Sequence, residues 1–69
     1  MSRQEDFIDL AKQITSENGY ESGVFSYGFE GRGVVTATNT TGGSVDDETL
    51  QELVDLADSF GFTLTFDDE

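Results

Sequence analysis

The chain of 69 residues contains no cysteine, no histidine and no proline, and it has only three basic residues. The lack of cysteine excludes a disulfide framework, a thiolate nucleophile and a cysteine-bound metal. The lack of histidine removes the commonest general base and the commonest metal ligand. We therefore expect a protein that is not an enzyme and that binds no cofactor and no metal.

Negative charge dominates the sequence. Fifteen Asp and Glu residues against three Lys and Arg residues give a formal net charge of -12 at pH 7. Arg3, Lys12 and Arg32 alone cannot form the basic patch that nucleic acids require, and an anionic membrane surface would repel the chain. The sequence also lacks the apolar stretch of a secretory signal and the roughly 20 apolar residues of a membrane span. We expect a cytoplasmic protein that binds neither nucleic acid nor membrane directly.

The apolar residues are numerous and patterned enough to predict a folded chain. Hydrophobic residues make up 35% of the sequence and include six Phe and two Tyr. A disordered acidic chain would be poorer in such residues. The length allows one core, so we predict a single acidic α+β domain over residues 1–69 that is monomeric.

Two stretches have the spacing of amphipathic helices. The first is predicted from about Ser2 to Asn18, where Ser2 followed by Glu5 matches a capping box. The second is predicted from about Asp46 to Phe60, with either Ser44 or Asp46 as its N-cap. The apolar positions recur at helical intervals: Phe7, Leu10, Ala11 and Ile14 in the first helix, and Leu50, Leu53, Val54, Ala57 and Phe60 in the second.

Three further stretches alternate as strands do. They are predicted over about Ser22 to Glu30, Val34 to Thr40 and Phe62 to Phe66, the last followed by a charged end, Asp67-Asp68-Glu69. The sequence Glu30-Gly31-Arg32-Gly33 predicts a tight turn and hence a hairpin between the first two strands.

The register of this hairpin stays open at the level of sequence. A two-residue loop would place Val34 and Thr36 beside the aromatic face of the first strand. A loop longer by one residue would place Val35 and Ala37 there instead.

The order α-β-β-α-β predicts a two-layer α+β domain with a small three-stranded antiparallel sheet and both helices on one face. The most aromatic strand, the first, is expected in the middle of the sheet. One sheet face is expected to be buried against the helices, and the other, rich in Ser, Thr and Gly, to be wet. The residues predicted on the buried face are Phe25, Tyr27, Phe29, Phe62, Leu64 and Phe66.

Carboxylates are densest in the second predicted helix. Six of them occupy 12 residue steps, namely Asp46, Asp47, Glu48, Glu52, Asp55 and Asp58. At the rise of an α-helix this is about 3 Å of axis per charge, close to the roughly 3.4 Å per charge of one DNA strand. No Lys or Arg follows Gly33 to relieve the repulsion. Stability alone does not select such a pattern, because like-charge neighbours destabilise a helix.

Two plainer interpretations of these carboxylates have to be weighed. A solvated helix face that aids solubility accounts well for the three acidic residues at the helix N-terminus, where the macrodipole favours negative charge. Loose Ca²⁺ binding at Asp46-Asp47-Glu48 or at Asp67-Asp68-Glu69 would lack the ligand spacing of an EF-hand loop.

We predict a partner-binding surface, formed by Asp47, Glu48, Glu52, Asp55, Asp58, Asp67 and Asp68. The chain resembles the small acidic phage-encoded anti-CRISPR proteins and related DNA-mimic inhibitors in its size, its lack of Cys and Pro, and its helical acidic stretch DDETLQELVDLAD. The resemblance implies a monomeric inhibitor in the host-cell cytoplasm that blocks target-DNA recognition by a CRISPR effector, for instance one of the multisubunit Cascade type. Its partner would be the basic nucleic-acid-binding surface of that effector.

Two other functions fit the same composition. A salt-adapted (halophilic) domain also carries abundant Asp and Glu, which keep a protein soluble in concentrated salt. An acidic antitoxin or immunity-type protein that neutralises a basic enzyme would use the same electrostatics against a different target.

Overall fold

The computed structural model describes residues 2–21, 23–31 and 33–68, and of Asp68 the backbone alone. The predicted strand start at Ser22, the central turn residue Arg32 and the terminal Glu69 therefore lie outside the described residues. The elements are α1 (Arg3–Glu17), β1 (Phe25–Phe29), β2 (Val34–Asn39), α2 (Asp47–Phe60) and β3 (Thr63–Asp68). This confirms the predicted order α-β-β-α-β.

The sheet is mixed, so the prediction of an antiparallel sheet is wrong. The strand order is β1-β2-β3, with β1 antiparallel to β2 and β2 parallel to β3. A tight turn reverses the chain between β1 and β2, whereas α2 carries it back along the sheet before β3 begins. A helical crossover of this kind joins parallel strands.

The middle strand is β2 and not the aromatic β1. The residues of β2 that face the helices, Val35 and Ala37, are completely buried. Because these side chains are small, larger side chains on the two edge strands can reach over them from both sides. The aromatic strands therefore lie at the edges, which leaves their inward residues less covered than predicted.

The hairpin has the register that the longer loop predicts. Tyr27 pairs with Ala37 and Phe29 with Val35, and the Glu30 amide donates to the Val34 carbonyl at 3.0 Å. Gly31 and Gly33 flank the centre of the turn with φ of 67° and 74°, a backbone region that glycine adopts without strain.

Helix α1 begins at its predicted cap. The Ser2 hydroxyl accepts a hydrogen bond from the Glu5 amide at 3.1 Å. The buried stripe runs through Phe7, Ala11 and Thr15, and Leu10 is 42% exposed. Leu10 precedes Ala11 by one step, about 100° around the helix, so it lies at the edge of the buried face. The apolar stripe predicted for this helix therefore wrongly contains Leu10 and omits Thr15. The Thr15 hydroxyl donates to the Lys12 carbonyl at 2.9 Å.

The core is centred on the ring of Phe7. This ring meets four other aromatic rings edge-on, at centroid distances between 5.7 and 6.2 Å, namely those of Tyr27, Phe29, Phe60 and Phe62. These partners come from β1, from α2 and from the residue before β3. Both helices consequently pack on the aromatic face of the sheet, while on the opposite face the Thr36 and Thr65 hydroxyls lie 3.3 Å apart.

Burial of the aromatic face is incomplete at its margins. Phe25 is buried, whereas Tyr27, Phe29, Phe62 and Leu64 are only partly buried. Phe66 is 36% exposed, so the prediction that it is buried is wrong. It lies near the end of edge strand β3, where no further strand covers it.

The two helices run antiparallel and are joined at both ends. The Arg3 guanidinium donates to the Phe60 carbonyl at the end of α2 and lies over the Phe62 ring, 5.6 Å from its centroid. At the other end the Asn18 side-chain amide donates to Glu52 Oε2 at 3.0 Å. Among the described residues, neither helix combines the length and the apolar character needed to cross a bilayer.

Tyr27 carries a buried hydroxyl that makes no hydrogen bond to any residue the structure describes. Burial also raises the pKa of Tyr27 to about 12, because an apolar environment disfavours the phenolate. An unsatisfied buried polar group costs about 1–3 kcal/mol. The hydroxyl is therefore a weak point of the core.

We predict that Tyr27→Phe raises the melting temperature at neutral pH, because it removes this hydroxyl and keeps the ring. In the wild type Tyr27 ionises near pH 10 when unfolded and near pH 12 when folded, so stability falls as the pH rises through that interval. The variant should lose less stability there. Urea denaturation of both proteins at neutral pH and at about pH 11 measures the difference. Equal stabilities at both pH values would contradict the prediction, and Tyr20, present in both proteins, cancels from the comparison.

Candidate partner-binding surface

Five predicted site residues form one continuous surface on α2. We name this surface the α2 acidic face; all its members are exposed, and they are Asp47, Glu48, Glu52, Asp55 and Asp58. At about 100° per residue they fall within an arc of about 140°, and from Asp47 to Asp58 they extend about 17 Å along the axis. The neutral residues Gln51 and Ser59 lie within the same arc. The carboxylates are thus concentrated on one side of the helix.

The opposite side of α2 explains why the carboxylates point outward. Thr49, Leu53 and Ala57 follow one another at intervals of four residues and are completely buried. This spacing places them on one line along the helix, directed at the sheet and at α1. Their burial fixes the rotation of α2, so the acidic face is turned away from the core.

Two members of the α2 acidic face are held by neutral side chains. Glu52 accepts a hydrogen bond from Asn18, and Asp55 Oδ1 accepts one from the Gln51 side chain at 3.0 Å. An amide donor orients a carboxylate without cancelling its charge. The surface therefore keeps its full negative charge while part of it is positionally fixed.

The carboxylates of the α2 acidic face are spread out rather than convergent. Among the residues that the structure describes, no group of three or more acidic side chains is placed to hold a metal ion. A metal site requires several oxygens about 2.0–2.6 Å from one point.

Asp67 and Asp68 do not belong to the α2 acidic face. They end β3, where their backbones pair with Thr38 and Asn39 of β2. The exposed Asp67 lines a groove of about 520 Å³ at this end of the sheet, and the side chain of Asp68 lies outside the described part. The structure therefore brings five of the seven predicted residues together and places these two at a second location.

Asp46 has a role that the sequence did not indicate. Asp46 occupies the N-cap position of α2, but its side chain makes no capping hydrogen bond to the helix amides. Its Oδ1 atom instead accepts hydrogen bonds from the hydroxyls of Thr49 at 2.6 Å and Tyr20 at 2.8 Å. The Asp46 amide donates back to the Tyr20 oxygen at 3.1 Å. The hydrogen bond from Thr49, which has the larger effect, and the one from Tyr20 lower the pKa of Asp46, because both hydroxyls donate to the ionised carboxylate. These contacts fasten the start of α2 to the loop after α1.

Asn39 is the second residue that sequence reasoning missed. It is buried at the end of β2, and its Oδ1 atom accepts from the amides of Thr41 and Gly42 at 3.0 and 3.2 Å. Its side-chain amide donates to the Gly43 carbonyl at 2.6 Å. The loop before α2 is thereby tied to the sheet. An Asn preceding Thr-Thr-Gly-Gly is a signal for such a turn, since Asn readily bonds to the backbone two residues on.

We predict that Asp46→Asn destabilises the protein at pH 7, because a neutral acceptor bonds the two hydroxyls less strongly than a carboxylate does. A lowered folded-state pKa stabilises above the unfolded pKa of about 3.9, and this contribution is lost as the pH falls through the folded value. The stability gap between wild type and variant should therefore close below about pH 4. Urea denaturation from pH 7 to pH 2 measures it. Asp47→Asn is the control, because it removes a charge from the same helix end but keeps the acceptor of the Thr49 and Tyr20 hydroxyls, and it should destabilise the protein less at pH 7 than Asp46→Asn does.

Comparisons of this chain with protein-family models, with curated proteins and with solved structures found no match.

Proposed function

We propose that this protein is a DNA mimic, a binding protein without enzymatic activity that occupies the positively charged nucleic-acid groove of another protein. The carboxylates of the α2 acidic face take the place of phosphates, and Lys and Arg side chains of the target pair with them. The target that we favour is a CRISPR effector whose recognition of DNA is thereby blocked in the host-cell cytoplasm. The protein acts as a monomer in this proposal.

The observation that supports the proposal is the α2 acidic face itself. Its five exposed carboxylates lie on one side of a helix, in a chain segment that has no Lys or Arg after Gly33. Asp55 and Asp58 also occupy the C-terminal half of the helix, where the macrodipole disfavours negative charge. The arrangement weakens the isolated protein slightly, and a cationic partner would reverse this penalty.

The electrostatics of such a surface favour fast binding that is sensitive to salt. A net charge of -12 on a small chain attracts a cationic groove over a distance of about one Debye length, roughly 8–10 Å at physiological ionic strength. Steered association of this kind raises the rate of encounter and falls steeply with added salt. Specificity then depends on where individual carboxylates meet individual cations.

The proposal predicts that the triple variant Glu48→Gln, Glu52→Gln, Asp55→Asn loses partner binding while its melting temperature stays equal or rises. Like-charge repulsion along α2 is relieved, and Gln at position 52 keeps a carbonyl oxygen for Asn18. The direct measurement is a gel-shift titration in which wild type or variant competes with target DNA for a purified Cascade-type effector. Wild type should displace the DNA in proportion to its concentration, and the variant should not.

A matched control removes the same amount of charge from α1 through Asp6→Asn, Asp9→Asn and Glu17→Gln, all exposed positions. This control should compete nearly as well as wild type. If both triple variants compete equally, the α2 acidic face is not the contact surface. If wild type leaves DNA binding unchanged, the effector is not the target. Capture experiments with wild type and the same two variants then identify the target. A second nucleic-acid-binding protein would keep the mimic hypothesis, whereas a basic enzyme would indicate an antitoxin or immunity protein.

Thermal melts in dilute buffer and in molar salt separate the DNA mimic from a salt-adapted domain. We expect a folded monomer in dilute buffer and a modest rise of the melting temperature with salt, because ions screen the repulsion between carboxylates. A halophilic protein would instead unfold in dilute buffer and require salt to fold. Circular dichroism for folding and sedimentation for oligomeric state provide the readout, and unfolding at low salt would count against the proposal.

A further inference from the structure

The groove at the carboxyl ends of β2 and β3 has properties that the α2 acidic face lacks. Its volume is about 520 Å³. Aromatic walls come from Phe25 and Phe66, whose ring centroids lie 5.7 Å apart, and aliphatic walls come from Val45 and Leu50. Phe66 is one of two large apolar side chains exposed among the described residues. The groove thus offers an accessible aromatic surface next to the start of α2.

One wall of the groove is fixed before any partner arrives. Gly42, Gly43 and Ser44 line it, and the buried Asn39 side chain bonds to the amide of Gly42 and to the carbonyl of Gly43. The opposite end of the same loop is held by the bond between Asp46 and Tyr20. A loop anchored on both sides loses little conformational entropy on binding, which favours affinity.

The charge around the groove selects a cation. Among the described residues that line it, Asp67 is the one that carries a charge. A helix N-terminus preceded by a glycine-rich loop otherwise suits an anion, but this carboxylate would repel one. An aromatic face beside a carboxylate is the environment in which a guanidinium binds well, because it can stack on the ring and pair with the acid.

Phe62, which precedes β3, already has a guanidinium over its ring. Arg3 lies over the ring of Phe62, 5.6 Å from its centroid, and donates to the Phe60 carbonyl. Phe62 and Phe66 both project from the β3 segment toward the helix layer, four residues apart. At Phe62 the chain supplies its own guanidinium, whereas Phe66 stays exposed beside Asp67.

We infer that this groove receives an arginine side chain of the cationic partner, with its guanidinium stacked on the exposed ring of Phe66 and attracted by the negative charge of Asp67. The inference rests on the proposed function and adds to it an anchoring site at the end of the sheet, next to the α2 acidic face. The α2 acidic face then supplies long-range attraction, and the groove fixes the orientation of the partner. Lysine fits less well because its ammonium cannot stack as a plane on the aromatic ring.

The test is an NMR titration of the ¹⁵N-labelled protein with N-acetyl-arginine methylamide at constant ionic strength. The amide signals of Gly42, Gly43, Phe66 and Asp67 should shift in a saturable manner. The lysine analogue should bind more weakly, and the neutral citrulline analogue should bind more weakly still. Phe66→Leu and Asp67→Asn should each weaken arginine binding about two- to fivefold, the range of an exposed cation–π contact or ion pair.

Asp9→Asn is the matched control, because it removes one exposed carboxylate from α1, far from the groove in sequence, and should leave the arginine shifts in place. Shifts spread evenly over all acidic surfaces, or unchanged in Phe66→Leu and Asp67→Asn, would overturn the inference. The gel-shift competition separates this failure from failure of the proposed function. If the α2 triple variant loses competition while Phe66→Leu and Asp67→Asn retain it, the mimic stands and the arginine groove does not. Localised arginine binding without any competition would uphold the groove and refute the effector as target.

Discussion

The whole structure depends on the burial of one aromatic side chain. Phe7 projects from α1 and is completely buried between rings from β1, from α2 and from the residue before β3. Edge-on aromatic pairs add about 0.5–1.5 kcal/mol each beyond the burial of their area. Because its rings come from both helices and from the sheet side of the core, this cluster holds the two layers together.

The aromatic cluster has to hold together a chain whose charges repel one another. The connections that assist it lie at the ends of the helices: Arg3 with Phe60, Asn18 with Glu52, and Tyr20 with Asp46. Two of them use neutral donors, and Arg3 donates to a backbone carbonyl and not to a carboxylate. The protein thereby closes its fold without neutralising the surface that we propose as its binding site.

Much of the fold could be predicted from periodicity. The two helices and three strands follow from apolar spacings of 3.6 and 2 residues, and Ser2 and Gly61 mark helix ends by their capping chemistry. The strand order could not be predicted in this way. It depends on which strand has side chains small enough to lie beneath two helices, as Val35 and Ala37 do, and on the direction in which α2 returns the chain.

The candidate site was predictable to a similar degree. The α2 acidic face follows from helix geometry because all its members lie on one element. Asp67 and Asp68 are predicted on the same surface, but their position depends on the parallel pairing of β3 with β2. A local sequence pattern carries no information on this pairing. The bond between Tyr20 and Asp46 spans 26 residues, and no spacing rule reaches across such an interval. The groove beside Phe66 appears only once these distant segments meet.

Both β1 and β3 are edge strands, and this gives the excess of carboxylates a further consequence. An unpaired edge presents free backbone donors and acceptors, on which a second molecule could add its own strand. Two copies that approach edge to edge would bring together a charge of -12 on each, and Asp67 stands directly on one of these edges. The anions that we propose to attract a basic partner therefore also oppose the pairing of two molecules of this protein edge to edge.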